Sequence, residues 1–545
     1  MRLRATTVLA VVLGLLAAAA PPGAAVPPPF AAVPRADAAA EVRTTHRRPR
    51  IPVGDGVSLE SWITEPAAPG PHPLVLFPTS WDTNAWANVF PAARIAQRGY
   101  VVVSYTPRGF GASDGRFDAG GPLDVGDVSA VLDWALAHTD ADPGRVGITG
   151  LSLGAALSLL GAAHEPRLKA AAALSAWADL EAGFRPNDTR KATVMDLVYR
   201  SATQGTGRVP SAEAAELFDT ARDDPERFAE LAGARSPVRR VAQINRNGTA
   251  VFLAHDWNDV AYPSDQMIDF YGRLTVPKRL ELRPGDHASA LIPGMFGADS
   301  PVWNAALRWL DAHVAGTDTS LTREPPLMAV IRGPQGPPVT EHHADWASFT
   351  GRARRCPLGG REGLLLPTGD LCGSPDATWS DGVTVGLNRV ATPGLPMVGG
   401  YFLEHFIGTP PNAPLALVDR HHAGVWHSGR LDRTWRLRGR VSLSMEITPG
   451  APGGSVFAYL YDMESGGRAS LIDEAPFSWR DATPGRPFTL DLDIAQVGYD
   501  VPAGHRLALV VTTDDYLYAS RNEMSAPMSF GSTGAAPAAL TVTVR

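Results

Sequence analysis

The sequence predicts an α/β domain carrying an inserted helical cap, followed by an all-β sandwich. Three observations point there. From residue 73 to about 315, short apolar runs of β-type alternate with helical patterns, which argues for a parallel sheet with helices on both faces. Residues 178–245 break that rhythm with a polar, helix-patterned stretch that lacks a strand. After residue 320 helical periodicity fades, Gly and Pro become frequent, and short alternating strands recur between turn residues, as in a β-sandwich. A length of 545 residues suits two to four domains at roughly 150 residues each.

The elements follow in order. Residues 1–25 read as a secretory signal peptide: Arg2 and Arg4 form a positive start, and Val8 to Ala20 is an apolar run too short to span a bilayer comfortably. Small residues at Gly23-Ala24-Ala25 mark the cleavage site, and the Pro/Ala-rich residues 26–40 form a disordered lead-in. Residues 41–65, with Gly54-Asp55-Gly56 in the middle, resemble an antiparallel hairpin. Within the α/β domain (41–315), strands are expected at Pro73–Pro78, Tyr100–Thr106, Arg145–Gly150, Lys169–Trp177, Ala250–Trp257 and Pro277–Pro284. Helices are expected at Asn84–Arg98, Asp124–His138 and Leu153–Ala163. The 178–245 insertion falls between two sheet strands, at the rim where loops carry function. In the sandwich (320–545), strands are expected at Arg440–Ile447, Ser455–Tyr461, Phe488–Ile494, Arg506–Thr512 and Ala539–Val544.

Composition narrows the function. Hydrophobic residues make up 44% and charged residues 19%, with a net charge of −7, so the chain is globular and lacks the basic face that nucleic acid requires. No polybasic patch suggests a membrane surface, and no stretch beyond the leader is apolar enough to cross one. Export bears on the only two cysteines, Cys356 and Cys372, which sit close enough in sequence to pair in an oxidising compartment. Closing that short loop would contribute about 3 kcal/mol in the chain-entropy model. Two cysteines without a clustered histidine pair give no case for a metal site, and no cofactor is expected.

The chemistry centres on Gly150-Leu151-Ser152-Leu153-Gly154, a G-x-S-x-G string. It follows an apolar strand and opens an apolar helix, the context of a nucleophile elbow in an α/β-hydrolase. Ser152 must occupy a tight strand-to-helix turn, so the residues two away on each side must be small. The helix N-terminus stabilises negative charge developing beside it, and the Leu153 N–H points where an oxyanion would form. A serine hydroxyl needs a base, and the base needs an orienting acid, in the chain order Ser, acid, His. His287 follows a late strand in Arg283-Pro284-Gly285-Asp286-His287; His255, His313, His342 and His343 are worse placed. Asp259, just past the Ala250–Trp257 strand, is the expected acid, with Asp256 in reserve. The second oxyanion donor should come from the turn after Pro73–Phe77. Thr79 is paired with Leu153 in that role, with Ser80 and Trp81 left open.

These residues bring a family into view. The chain resembles the cocaine-esterase/NonD and X-Pro dipeptidyl-peptidase-like (S15-like) serine hydrolases over about residues 50–545. Tyr105 to Gly115 (YTPRGFGASDG) is similar to the family's strand-then-Arg-Gly segment, and Asp127 and Trp134 match its next helix. Trp257-Asn258-Asp259 resembles its Trp-x-Asp acid site, and Pro284-Gly285-Asp286-His287 its base segment. Pro502-Ala503-Gly504-His505-Arg506-Leu507 resembles the entry to its C-terminal jelly roll. The chain departs from the family where Pro78 is followed by Thr79 instead of tyrosine, and where Leu153 replaces an aromatic residue after the serine. The resemblance implies an α/β-hydrolase domain, a helical cap and a C-terminal β-sandwich; together with the leader and the Ser, Asp, His order it leads to the expectation of a secreted serine hydrolase that cleaves a small ester or a short peptide by an acyl-enzyme mechanism. An ester is preferred, because no acidic clamp for a peptide N-terminus is identifiable. An X-Pro dipeptidyl-peptidase is the alternative, and a glycan-binding protein with an inert hydrolase domain is the rival of another class.

Overall fold

The computed structural model describes residues 42–334, 338–373, 378–392 and 400–545. The expected leader (1–25) and lead-in (26–40) lie outside the described residues. Among the described residues no helix is long and apolar enough to cross a membrane.

The first sheet holds β1 (Thr44–Arg47), β2 (Arg50–Pro52), β3 (Ser58–Pro66), β4 (His72–Pro78), β5 (Val101–Tyr105), β6 (Ala141–Leu151), β7 (Leu168–Leu174), β8 (Ala250–Asp256), β9 (Lys278–Arg283), β10 (Leu327–Ile331) and β11 (Val339–His343). Its order is β1-β3-β5-β4-β6-β7-β8-β9-β10-β11, with β2 beside β3. From β5 to β10 every pairing is parallel, and antiparallel strands close both edges. The central strands β5, β7 and β8 are buried along nearly their whole length because both of their faces are covered. The expected hairpin is present as β2 and β3 turning at Gly54–Gly56.

The helix Leu153–His164 is the central core helix, buried along Leu153 to Ala163 on every face. Its small residues let it lie close on β6, β7 and the neighbouring helix Pro122–His138, where Gly161 meets Ile148, Leu168 and Val128. The expected helix at Asn84–Arg98 divides: a 3₁₀ turn covers Ala85–Asn88 and the α-helix runs Val89–Ala96. Asn84 initiates it by accepting a hydrogen bond from the Trp86 N–H at 3.1 Å.

Between β7 and β8 lie five short α-helices from Leu180–Phe184 to Val241–Asn247, the inserted cap. After β11 the chain forms the all-β sandwich. Its two layers are joined by the strand Arg352–Glu362, which pairs with Ala539–Val544 in one layer and Thr368–Leu371 in the other. A register shift between Leu358 and Arg361 bends it from one layer to the next. Sandwich strands run longer than expected: Trp435–Pro449 and Phe488–Val501 pair along most of their length. Cys356 and Cys372 form a disulfide, S–S 2.05 Å, beside this bend.

The two domains share a buried seam. At the end of β10, Arg332 makes a two-pronged ion pair with Glu404, at 2.9 and 2.8 Å, and donates to the Ile472 and Leu471 carbonyls. Its backbone also pairs with Gly498 and Asp500 of the sandwich. Both charges are almost wholly buried. Removing one partner of such a pair strands the other, at about 3–5 kcal/mol. Arg332→Met should therefore lower the denaturation midpoint sharply, and calorimetry or urea titration will read the change; an unchanged midpoint would mean that the seam carries no load.

Candidate active site

Ser152 connects β6 to the core helix and adopts φ +56°, ψ −116°. A non-glycine residue with positive φ is held there by its surroundings. The two glycines of the motif supply the room. A Cβ on Gly150 would sit 2.2 Å from the Gly154 backbone, and one on Gly154 would sit 2.2 Å from the Pro78 carbonyl oxygen of β4. Any larger residue forces the turn off the sheet. Leu153 is the first helical residue, so its N–H has no intrahelical acceptor.

His287 lies on the loop after β9. Gly285 takes φ +145° and packs against Asp256 and Ser289, which folds the loop back over the sheet. Ser152 Oγ and His287 Nε2 are 2.8 Å apart, and His287 Nδ1 and Asp259 Oδ2 are 2.7 Å apart. The other carboxylate oxygen of Asp259 accepts the N–H groups of Ala261 at 2.9 Å and Tyr262 at 2.8 Å. Asp286 staples the two loops together, since one of its oxygens accepts from both the Val260 N–H at 2.8 Å and the His287 N–H at 2.7 Å.

The electrostatics follow. Burial pushes the Asp259 carboxyl up, but His287, the nearby His255 and the Tyr262 N–H outweigh it and hold the group below its ordinary value. Burial works against a charged His287, yet the charge and hydrogen bond of Asp259, with Asp286 behind, raise its pKa above the ordinary imidazole value. His255 is buried 3.7 Å from Asp259, its Nε2 is hydrogen-bonded to the Tyr262 carbonyl at 2.7 Å, and burial lowers its pKa. Its place is to close the acid loop. Lys191, one of three lysines in the chain, reaches in from the start of a cap helix and donates to the Val260 carbonyl at 2.7 Å.

The sequence-selected residues thus converge, with corrections. Asp256 ends β8 and faces Gly285, away from the imidazole, and burial with Asp259 and Asp286 nearby drives its carboxyl well above the ordinary value. The reserve acid therefore does not reach the base. Thr79 needs a sharper correction. Its N–H donates to the Tyr105 carbonyl at 3.0 Å, because the β4–β5 ladder runs one residue past Pro78. That N–H is therefore turned away from the serine, and the Thr79 hydroxyl is buried without a hydrogen-bond partner. The rest of the turn lies nearer. Ser80 Oγ donates to the Leu151 carbonyl, next to Ser152, at 2.9 Å. His313 packs at a tilt against Trp309, with centroids 4.2 Å apart, and His342 and His343 sit on the edge strand β11.

Aromatic rings pack around the turn and the base. Trp81 packs on Phe110, Phe117 and the cap residue Phe218, with centroids 5.0, 5.3 and 6.2 Å away. The Tyr262 ring meets His287 edge-on at 5.3 Å. Sequence reasoning found the three aligned side chains through the elbow and chain order. It missed the bond from Val260 to Asp286, Lys191 and the Trp81 contacts, which join segments far apart in the chain.

Comparison with known proteins completes the picture. Residues 55–289 match the model of the X-Pro dipeptidyl-peptidase (S15) family, and residues 320–539 match that of the X-Pro dipeptidyl-peptidase C-terminal non-catalytic domain. The chain is 24% identical over 535 residues to a cocaine esterase from Rhodococcus sp. (strain MB1 Bresler), covering 87% of this chain and 91% of that protein. Among solved structures, a CocE/NonD family hydrolase from Staphylococcus aureus superposes with TM-score 0.69 at 12% identity, covering 92% of this chain and 94% of its own. An α-amino acid ester hydrolase superposes with TM-score 0.67 at 16% identity, over 95% of this chain and 99% of its own. The structural likenesses establish an α/β-hydrolase fold with a cap and a C-terminal jelly roll, and the sequence matches establish an enzyme: the chain belongs to the cocaine-esterase and X-Pro dipeptidyl-peptidase-like serine hydrolases.

Proposed function

We propose that Ser152, His287 and Asp259 form the catalytic triad of an exported carboxylesterase-type hydrolase. The observation that carries this reading is the unbroken hydrogen-bonded series from Ser152 Oγ through both ring nitrogens of His287 to Asp259, at 2.8 and 2.7 Å. In this mechanism His287 Nε2 takes the hydroxyl proton as Ser152 Oγ attacks the substrate carbonyl. Asp259 fixes the ring and stabilises the imidazolium. The Leu153 N–H and an N–H of the turn at Ser80 or Trp81 hold the oxyanion. The imidazolium then gives its proton to the leaving group, and water releases the acyl group by the reverse sequence.

An ester is favoured over an X-Pro peptide. The named activities of the cocaine esterase and the α-amino acid ester hydrolase support ester cleavage, whereas the S15 family name supports the peptidase alternative. The leader-like N-terminus and the Cys356–Cys372 disulfide support export to an oxidising compartment.

A fluorophosphonate probe should label the wild type at Ser152, and Ser152→Ala should abolish both labelling and turnover; labelling that survives the substitution would remove the assignment. Short-chain aryl esters should be cleaved faster than Gly-Pro or Ala-Pro anilides, and the opposite ranking would reverse the substrate preference. The acidic limb of kcat/KM reports His287, whose protonated form cannot accept the serine proton. Activity should therefore be lost as pH falls through a value above that of a free imidazole. Asp259→Asn should lower kcat by about 10⁴-fold and move that limb to lower pH, because the counter-ion that raises the histidine is gone. A limb that stays in place would place the orienting charge elsewhere.

A further inference from the structure

The turn after β4 is gripped from two sides. On the serine side, Ser80 Oγ donates to the Leu151 carbonyl at 2.9 Å. On the cap side, the Trp81 indole N–H donates to the Val198 carbonyl at 3.0 Å, and Asp82 takes hold of two further cap residues. One Asp82 oxygen accepts from the Thr206 hydroxyl at 2.7 Å, and the other lies 3.4 Å from Arg208 Nε. Asp82 itself has φ +49°, a left-handed turn conformation that an aspartate tolerates.

The cap segment that supplies these partners is irregular. The helix Ala192–Arg200 runs into a π-helical turn at Ser201–Gly205, immediately before Thr206. Such turns are frequent where helices carry function. The Arg208 N–H is tied back to the Ala202 carbonyl at 2.8 Å, so Thr206 and Arg208 move with the π-turn. Just beyond, Val209 and Ser211 exchange backbone hydrogen bonds with Phe117 of the hydrolase domain. The segment between Val198 and Val209 is thus anchored at both ends, and its middle touches the turn through Asp82.

We infer that Asp82 is a positioning residue: through Thr206 and Arg208 it lets the seated cap set the turn that presents the second oxyanion donor. The inference rests on the proposed role of that turn. Without the clamp, the turn loses its hold on the cap and the donor moves off the developing oxyanion, while Ser152, His287 and Asp259 stay aligned by their own loops. A displacement of about 1 Å in such a group can cost about 10²-fold in rate. The loss falls on the transition state, so it lowers kcat with KM little changed. The cap in this account belongs to the catalytic apparatus and is more than a substrate wall.

The test is steady-state kinetics on a short-chain aryl ester, with fluorophosphonate inactivation rates and melting temperatures, for the full chain and for Asp82→Asn, Arg208→Met and the double variant. Each single variant should lower kcat and the inactivation rate by about 10- to 100-fold, with KM within about twofold. The double variant should be no slower than the slower single one, because both break one clamp, and Arg208→Lys should recover part of the loss. Thr206→Val removes one hydroxyl at nearly constant shape and serves if Asp82→Asn does not fold; it should give a smaller fall in kcat at constant KM. A rise in KM at constant kcat, or losses that multiply in the double variant, would overturn the inference. A wild type that neither turns over esters nor takes up the probe would instead remove the reading beneath it.

Discussion

The site depends on a steric constraint at one bend. Between β6 and the core helix, the backbones of Gly150, Gly154 and Pro78 approach so closely that there is no space for a side chain at either glycine. The only path left for the chain puts Ser152 at positive φ with its hydroxyl above the sheet edge. Strain of this kind costs of order 1–3 kcal/mol and persists because buried packing on both sides over-determines it. The core helix is buried along Leu153 to Ala163, and the Ser152 N–H is bonded to the Leu174 carbonyl at 3.0 Å, so the bend cannot relax without dismantling the centre of the domain. The same bend leaves the first N–H of the helix without an intrahelical acceptor at the place where negative charge would develop.

Everything else arrives at that bend by strand order. β6, β7, β8 and β9 are adjacent and parallel, so the loops after β6, β8 and β9 emerge side by side. Asp286 and Lys191 then join the acid and base loops to one another and to the cap, using the backbone of Val260 as the common post. The sandwich takes part from behind. Asn258, beside the acid, donates to the Ile472 carbonyl at 3.1 Å and to Asp473 at 2.9 Å, and the Trp257 ring lies where a Cβ on Gly498 would stand. The acid loop is therefore clamped between three parts of the chain, which explains how a carboxylate so deeply buried can stay ionised and aimed.

The degree to which the sequence disclosed this arrangement follows the range of each interaction. The elbow is local: two glycines around a serine between a strand and a helix encode their own geometry. His287 and Asp259 were reachable because the chain order of an α/β-hydrolase places them after late strands, and only one histidine fits. The disulfide was legible from the short spacing of Cys356 and Cys372. Thr79 failed as a backbone donor because strand ends depend on pairing with a neighbour, and nothing within residues 73–82 reveals that β5 extends the ladder by one residue. The division of Asn84–Arg98 into a 3₁₀ turn and a shorter helix, and the extended sandwich strands, reflect tertiary pairing that overrides local pattern in the same way. Lys191 and Asp82 were invisible as site residues because their partners come from the far side of the insertion.

The central claim is that the strained bend delivers Ser152 to an imidazole already paired with Asp259. Proton NMR of the intact protein tests it most directly, through the His287 Nδ1–H resonance. A hydrogen bond from that proton to a buried carboxylate should place the resonance far downfield. It should survive when Ser152 is phosphonylated and vanish when Asp259 is replaced by asparagine. A downfield signal that is absent from the wild type, or that persists without the Asp259 carboxylate, would contradict the account.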